Sequence, residues 1–205
     1  MKWMIAAFVA IGFGAAGLGA ASTASAAEED EMSDRLELVE FSRKEEVLRW
    51  QSVDDRVMGG ISRSRMMLDA TENTALFTGT LSLENNGGFA SVRREVSGLG
   101  DAVAVLLRVK GDGRKYQFRV RTDERLAGVS YRASFETQAD EWIEVELPAA
   151  DFRPQYRGRA VNGMPPLDLA QARQIAFLIG DKRPGEFQLE VEWIGLRTAT
   201  ESGWE

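Results

Sequence analysis

Between residues 77 and 193 the chain repeatedly alternates apolar and polar side chains over short runs, a period of two that a strand buried on one face produces and a helix does not. Tyr116, Phe118 and Val120 alternate with Gln117, Arg119 and Arg121, and Tyr131, Ala133 and Phe135 alternate with Arg132 and Ser134. Ile143, Val145 and Leu147 alternate with Glu144 and Glu146; Phe187, Leu189, Val191 and Trp193 alternate with Gln188, Glu190 and Glu192. Phe77, Gly79, Leu81 and Leu83 hold one parity, and Val103, Val105, Leu107 and Val109 hold another. Strands with one dry face and one wet face belong to antiparallel sheets. Turn residues stand between the runs at Gly98-Leu99-Gly100, Gly111-Asp112-Gly113, Asp123-Glu124, Pro148 and Pro184-Gly185. Such spacing predicts a β-sandwich. Helical periodicity is scarce. Asp168 to Gln174 is the expected brief helix, capped by Asp168 and leading into an apolar strand from Ile175 to Ile179. Residues 153–166, with three prolines, read as the longest irregular connection.

Composition narrows the chemistry. The chain has no cysteine, which removes disulfides, thiolate catalysis and thiolate zinc sites, and no histidine, which removes Ser-His-Asp machinery and imidazole metal ligation. Catalysis would have to rest on carboxylates, Lys, Tyr or an oxygen-bound metal. A net charge of −7 opposes a nucleic-acid or anionic-membrane partner, although a local basic face is compatible with it. Residues 1–26 read as a signal peptide, with Lys2, the apolar stretch from Trp3 to Leu18 and the small triplet Ala24-Ser25-Ala26. This predicts a periplasmic or secreted protein, not stably inserted in the membrane after cleavage; the other reading is an uncleaved anchor helix, for which the length is marginal and the Gly and Ala content weakens insertion. Residues 27–37 read as an acidic, disordered leader, 38–197 as one domain and 198–205 as a tail.

Two glycine-bearing segments stand out, WQSVDDRVMGGISRSR from Trp50 to Arg65 and NNGGFASVR from Asn85 to Arg93. Paired glycines beside polar and bulky groups suit a tight loop that brings backbone close to a partner. Asp54, Asp55, Arg56, Met58, Gly59, Gly60, Ser62, Asn86, Gly87, Gly88 and Arg93 are therefore candidate binding residues. The plainer reading is a self-satisfied turn, its aspartates accepting from following amides and Arg56 folding back on them. Arg119, Arg121 and Arg132 share a polar parity and would suit a carboxylate, phosphate or acidic peptide. Alternatively they pair across strands with Glu144, Glu146, Glu190 or Glu192. Asp112 reads as a two-residue hairpin turn between the Val103 and Tyr116 strands, leaving Arg114 beyond it free for binding. Tyr116, Tyr131 and Trp193 read as core by parity; exposed on a sheet, these rings, Trp50 or Trp142 would instead stack on sugars. Trp204 falls in the tail.

The order Phe41, Trp50, DDRVMGGIS (54–62), Phe77-Thr78-Gly79, GGFASVR (87–93), GDGRKY (111–116), YRASF (131–135), Trp142, Leu147-Pro148, Phe152 and GEFQLEVEWI (185–194) resembles the CIA30 family, the complex I intermediate-associated protein 30 domain. The resemblance implies a galactose-binding-like β-jelly-roll, an all-β sandwich of two antiparallel sheets with at most short helices. It also implies a non-enzymatic assembly or chaperone role, without catalytic residues, metal or cofactor. The leading expectation is thus an exported binding domain that assists assembly of a protein client. A jelly-roll carbohydrate-binding module is the alternative, and a hydrolase using a pair from Asp54, Asp55 and Asp112 ranks third.

Overall fold

Fourteen segments are built in chain order from the computed structural model, which describes residues 35–122 and 128–199. They are β1 (Arg35–Glu40), α1 (Lys44–Val47), β2 (Gln51–Ser52), β3 (Arg63–Asp69), β4 (Thr74–Leu81), β5 (Ala90–Glu95) and β6 (Ala102–Lys110). There follow β7 (Lys115–Arg121), β8 (Ser130–Glu136), β9 (Trp142–Pro148), β10 (Arg153–Tyr156), β11 (Arg159–Ala160), β12 (Gln174–Ile179) and β13 (Gly185–Thr198). The signal peptide, the leader up to residue 34, the Asp123-Glu124 turn and Trp204 lie outside the described residues.

Two antiparallel sheets face one another. The first runs β3-β4-β13-β6-β9, with β1 also paired to β13; the second runs β11-β10-β8-β7-β12-β5-β2. The period of two decides which side chains meet between them. In β7, Tyr116, Phe118 and Val120 are fully buried, while Gln117, Arg119 and Arg121 point outward. β13 supplies Phe187, Leu189 and Val191 from the opposite sheet. Rings fill the middle: Phe77 meets Phe187 at 5.0 Å between centroids, Phe118 meets Phe177 at 5.3 Å, and Trp50 stacks on Phe177 at 5.6 Å. Removing each such side chain from water contributes roughly 2–3 kcal/mol, and edge-to-face pairing adds to it. The only α-helix among the described residues, α1, is a single turn. The fold is the all-β jelly-roll-like sandwich that the alternation predicts.

Four local expectations are corrected. β1 already begins at Arg35, opposite Arg197, so residues 35–37 are paired strand rather than leader. Gly111-Asp112-Gly113 is not a hairpin turn, because β6 lies in the first sheet and β7 in the second. Alternation shows that both strands have an inward face but not that they face each other from opposite layers. Residues 153–166 contain the hairpin β10–β11, turning at Arg157 (φ 47°) and Gly158 (φ 78°), the left-handed pair a tight two-residue turn demands. Trp193 is half-buried rather than core: a bulge between Val191 and Trp193 shifts the register of β13, so Ile194 and Leu196 turn inward instead. The Arg35 guanidinium lies over the Trp193 ring at 4.1 Å from its centroid. The Asp168 helix is present as one 3₁₀ turn, with Oδ1 of Asp168 accepting from the Ala170 amide at 3.0 Å.

Candidate binding groove

The two glycine-bearing segments fold onto each other, and the acidic pair between them faces inward. Asp55 has no solvent exposure. Its Oδ1 accepts from the Ser62 amide at 2.9 Å; its Oδ2 accepts from the Ser62 hydroxyl at 2.6 Å and from the Gly88 and Phe89 amides at 2.7 and 3.4 Å. Asp54 accepts from the Ser64 amide and hydroxyl at 2.9 and 2.5 Å and from the Ser91 amide at 3.0 Å. A Cβ on Gly60 or Gly87 would overlap the Asp55 side chain, which explains one glycine of each pair. Gly59 (φ 92°) and Gly88 (φ 135°) provide the left-handed backbone beside them. Asp54, Asp55, Gly60 and Ser62 are therefore internal ties rather than ligand contacts: the aspartates hold the following amides of Ser62 and Ser64 in their own segment and those of Gly88, Phe89 and Ser91 in the other. Burial alone would raise the Asp55 pKa, yet the Ser62 hydroxyl and the amides of Gly88, Ser62 and Phe89 outweigh it and hold the carboxyl below its ordinary value. The hydrolase pairing loses its geometry, since Asp54 and Asp55 are spent on internal donors and Asp112 accepts from the Tyr116 hydroxyl at 3.0 Å and the Gln188 amide at 2.9 Å.

These ties erect one wall of a groove on the outer face of the second sheet. Val57, Met58, Asn86, Gly87, Gly88 and Phe89 line that wall, and Tyr156, Arg157 and Gly158 of the β10–β11 hairpin line another part of the rim. The enclosed volume is about 950 Å³. Its floor is a row across the strands, Arg93 on β5 opposite Ala176 on β12, Ala176 opposite Arg119 on β7, and Arg119 opposite Arg132 on β8. Arg121 stands in the next row, opposite Gln174, and donates to the Gly128 carbonyl at 3.3 Å. Small Ala176 leaves the cleft between Arg93 and Arg119. Arg119 donates to Oε1 of Gln117 at 2.9 Å and of Gln155 at 3.3 Å, both neutral amides. Burial, and then the charges of Arg132 and Arg121, push its pKa down to about 10, so it remains a cation at neutral pH. Burial and the charge of Arg121 likewise lower Arg93, against a smaller opposing effect of Glu95 at the end of the sheet face.

The pairing of Arg119, Arg121 and Arg132 with Glu144, Glu146, Glu190 or Glu192 is overturned, because those glutamates lie on the other sheet. There Arg108 binds Glu192 and Glu144 at 2.6 and 3.0 Å, Arg197 binds Glu146 at 2.7 Å, and Lys110 binds Glu190 at 2.7 Å. Arg114 is also not free. It is buried and grips both oxygens of Asp181 at 2.7 and 3.0 Å, and it donates to the Glu186 carbonyl at 2.8 Å. Arg56 and Gly59 are exposed at the loop but do not line the groove. Sequence reading passed over Gln155, Tyr156, Arg157 and Lys182, which line it. The Tyr-Arg-Gly-Arg run at 156–159 carried a turn signal that the neighbouring prolines obscured. Among the described residues, no group of three or more acidic side chains is placed to hold a metal ion.

Fold and groove together define a β-sandwich domain of the jelly-roll kind with a walled groove on the outer face of one sheet. The sequence pattern of Complex I intermediate-associated protein 30 (CIA30) matches residues 39–191, and the chain belongs to the CIA30 family. It is 28% identical over 180 residues to the mouse mitochondrial Complex I intermediate-associated protein 30, an alignment covering 78% of this chain and 55% of the mouse protein. A probable counterpart from Caenorhabditis elegans is 23% identical over 155 residues, covering 65% of this chain and 46% of that one. The chain thus spans about half the length of these relatives. Among solved structures, the Family 11 carbohydrate-binding module of a Clostridium thermocellum cellulosomal cellulase superposes with a TM-score of 0.63 at 17% identity, covering 83% of this chain and 98% of the module. The same family's module in complex with a mixed-linked tetrasaccharide gives 0.60 at 18% identity, covering 82% and 97%. A Family 30 module from that organism gives 0.54 at 13%, covering 82% and 99%. These likenesses establish the fold.

Proposed function

We propose that this domain binds carbohydrate in the groove on the outer face of its second sheet. The observation that carries the reading is the groove itself, a trough walled by two mutually tied loops and floored by hydrogen-bond donors. Its fixed walls preorganise the site, and Gln117, Gln155 and the arginines present amide and guanidinium groups suited to hydroxyls and ring substituents. The carbohydrate-binding modules of the same fold support the reading, one of them in complex with a tetrasaccharide. The export signal read in residues 1–26 supports a periplasmic or secreted location, where polysaccharides are encountered. Affinity electrophoresis of the purified domain through gels containing neutral and acidic polysaccharides tests the proposal. Retardation by at least one polysaccharide, reduced in Gln155→Ala, is the expected result; unretarded migration through all of them would exclude it.

A second reading has its own observation. Val57 and Met58 are 72% and 60% exposed at the end of the groove, an apolar tip of the kind that docks on protein. With the CIA30 membership, this supports assistance to the assembly of a protein client. A photo-crosslinking residue placed at Met58 would yield a reproducible protein adduct in the native host on this reading, and none on the first.

A further inference from the structure

The two outer faces of the sandwich treat charge in opposite ways. On the first sheet, Arg108, Lys110 and Arg197 each hold a glutamate of a neighbouring strand. On the second, Arg93, Arg119, Arg132, Arg157 and Lys182 line one groove whose lining contains no carboxylate among the described residues. None of Arg93, Arg119 and Arg132 is ion-paired to a described carboxylate. Arg119 and Arg132 stand directly opposite each other on adjacent strands, an arrangement of like charges that destabilises the empty sheet. In a chain of net charge −7, Arg119 and Arg132 thus share a groove with no carboxylate among the described lining residues, Glu95 acting on Arg93 only from the end of the sheet face.

Ring stacking has little to offer here. Tyr156 is the large exposed aromatic of the groove, and the Arg157 guanidinium already lies 5.3 Å from its ring centroid. A neutral sugar chain held by aromatic platforms would find that ring partly occupied, and a single-stranded nucleic acid would find no succession of rings on which to stack its bases. Guanidinium groups instead match planar carboxylates through paired N–H donors. From Arg93 to Arg119 is two strand spacings, roughly 10 Å, and the floor from β5 to β10 extends roughly 20 Å, room for several sugars in a row.

We infer that the ligand is an acidic polysaccharide, its sugars bearing carboxylates that Arg93, Arg119 and Arg132 neutralise. This rests on the carbohydrate reading above and deepens it. Titration calorimetry on the whole chain with oligogalacturonate, with a neutral cello-oligosaccharide of equal length and with a poly-glutamate peptide tests it. Oligogalacturonate binds best and more weakly as salt rises; Arg119→Gln and Arg132→Gln each lose at least about ten-fold, and Arg108→Gln on the other sheet loses nothing. Thermal melts of the two groove variants remain at or above the wild-type midpoint, because a like-charge contact has been removed. Equal or tighter binding of the neutral sugar, indifferent to Arg119→Gln, overturns this inference and leaves carbohydrate binding standing. Binding of poly-glutamate but not of either sugar overturns this inference in favour of a protein ligand, and binding of none overturns it too, while retardation by any polysaccharide in the gels would keep carbohydrate binding standing.

Discussion

Asp55 shows how much one buried side chain can organise. Four donors from two distant segments converge on its carboxylate, and removing it strands them in the interior. Asp55→Ala is expected to cost about 3 kcal/mol in urea unfolding, with Asp55→Asn costing less because the amide oxygen still accepts. The folded pKa lies below the value of 3.8 that the free side chain has. Its ionisation therefore stabilises the fold fully at neutral pH, and that stabilisation fades as pH falls below about 4 and then through the lower folded-state value. The gap between wild type and Asp55→Asn should accordingly narrow on acidification, and a gap constant from pH 7 to about pH 3 would contradict the assignment. At this scale the sequence revealed that Asp-Asp and Gly-Gly belong together in a loop. It did not reveal which way the aspartates point, because a carboxylate that ties two loops and one that binds a ligand need the same residue types.

At the scale of elements, the junction before β7 and the bulge in β13 decide what is free to bind. Arg114, at the start of β7, reaches the loop before β13 and pairs with buried Asp181, whose own pKa is held low by that guanidinium and the Arg183 amide despite burial. Breaking one partner of such a pair leaves the other uncompensated, so Arg114→Ala is expected to lose roughly 3 kcal/mol of stability while binding in the groove is retained at temperatures where the variant is folded. Loss of affinity without loss of stability would restore Arg114 to the binding residues. The β13 bulge makes a matching prediction for two tryptophans. Trp50, 7% exposed and stacked on Phe177, should cost about 3–5 kcal/mol when replaced by Ala, and half-buried Trp193 less than about 1.5 kcal/mol, as read from denaturant midpoints. Alternation marked β4, β6, β7, β8, β9 and β13, since burial of one face leaves a period of two in the residues themselves, and an apolar run marked β12; β1, β2, β3 and β5 went unread. Bulges, the crossing from β6 to β7 and the β10–β11 hairpin could not be read, because each depends on a partner strand far away in the chain.

For the whole molecule, strand parity placed Arg119, Arg121 and Arg132 on polar faces but could not say which sheet they share, and that placement separates a neutralised ladder from a binding groove. The glutamates that would have neutralised them in the simplest reading lie across the core, paired with Arg108, Lys110 and Arg197. Arg93 was nominated for its place in the glycine segment, and it is the register of β5 against β12 and of β12 against β7 that brings it into line with Arg119. The account therefore turns on one face of one sheet. Amide and side-chain NMR shifts of the labelled domain, followed during titration with oligogalacturonate, address it directly. Shifts concentrated in residues 57–58, 86–93, 117–121, 130–132, 155–158, 174–178 and 182 are predicted, and shifts centred on Arg108, Glu144 and Glu192 of the opposite face would contradict it.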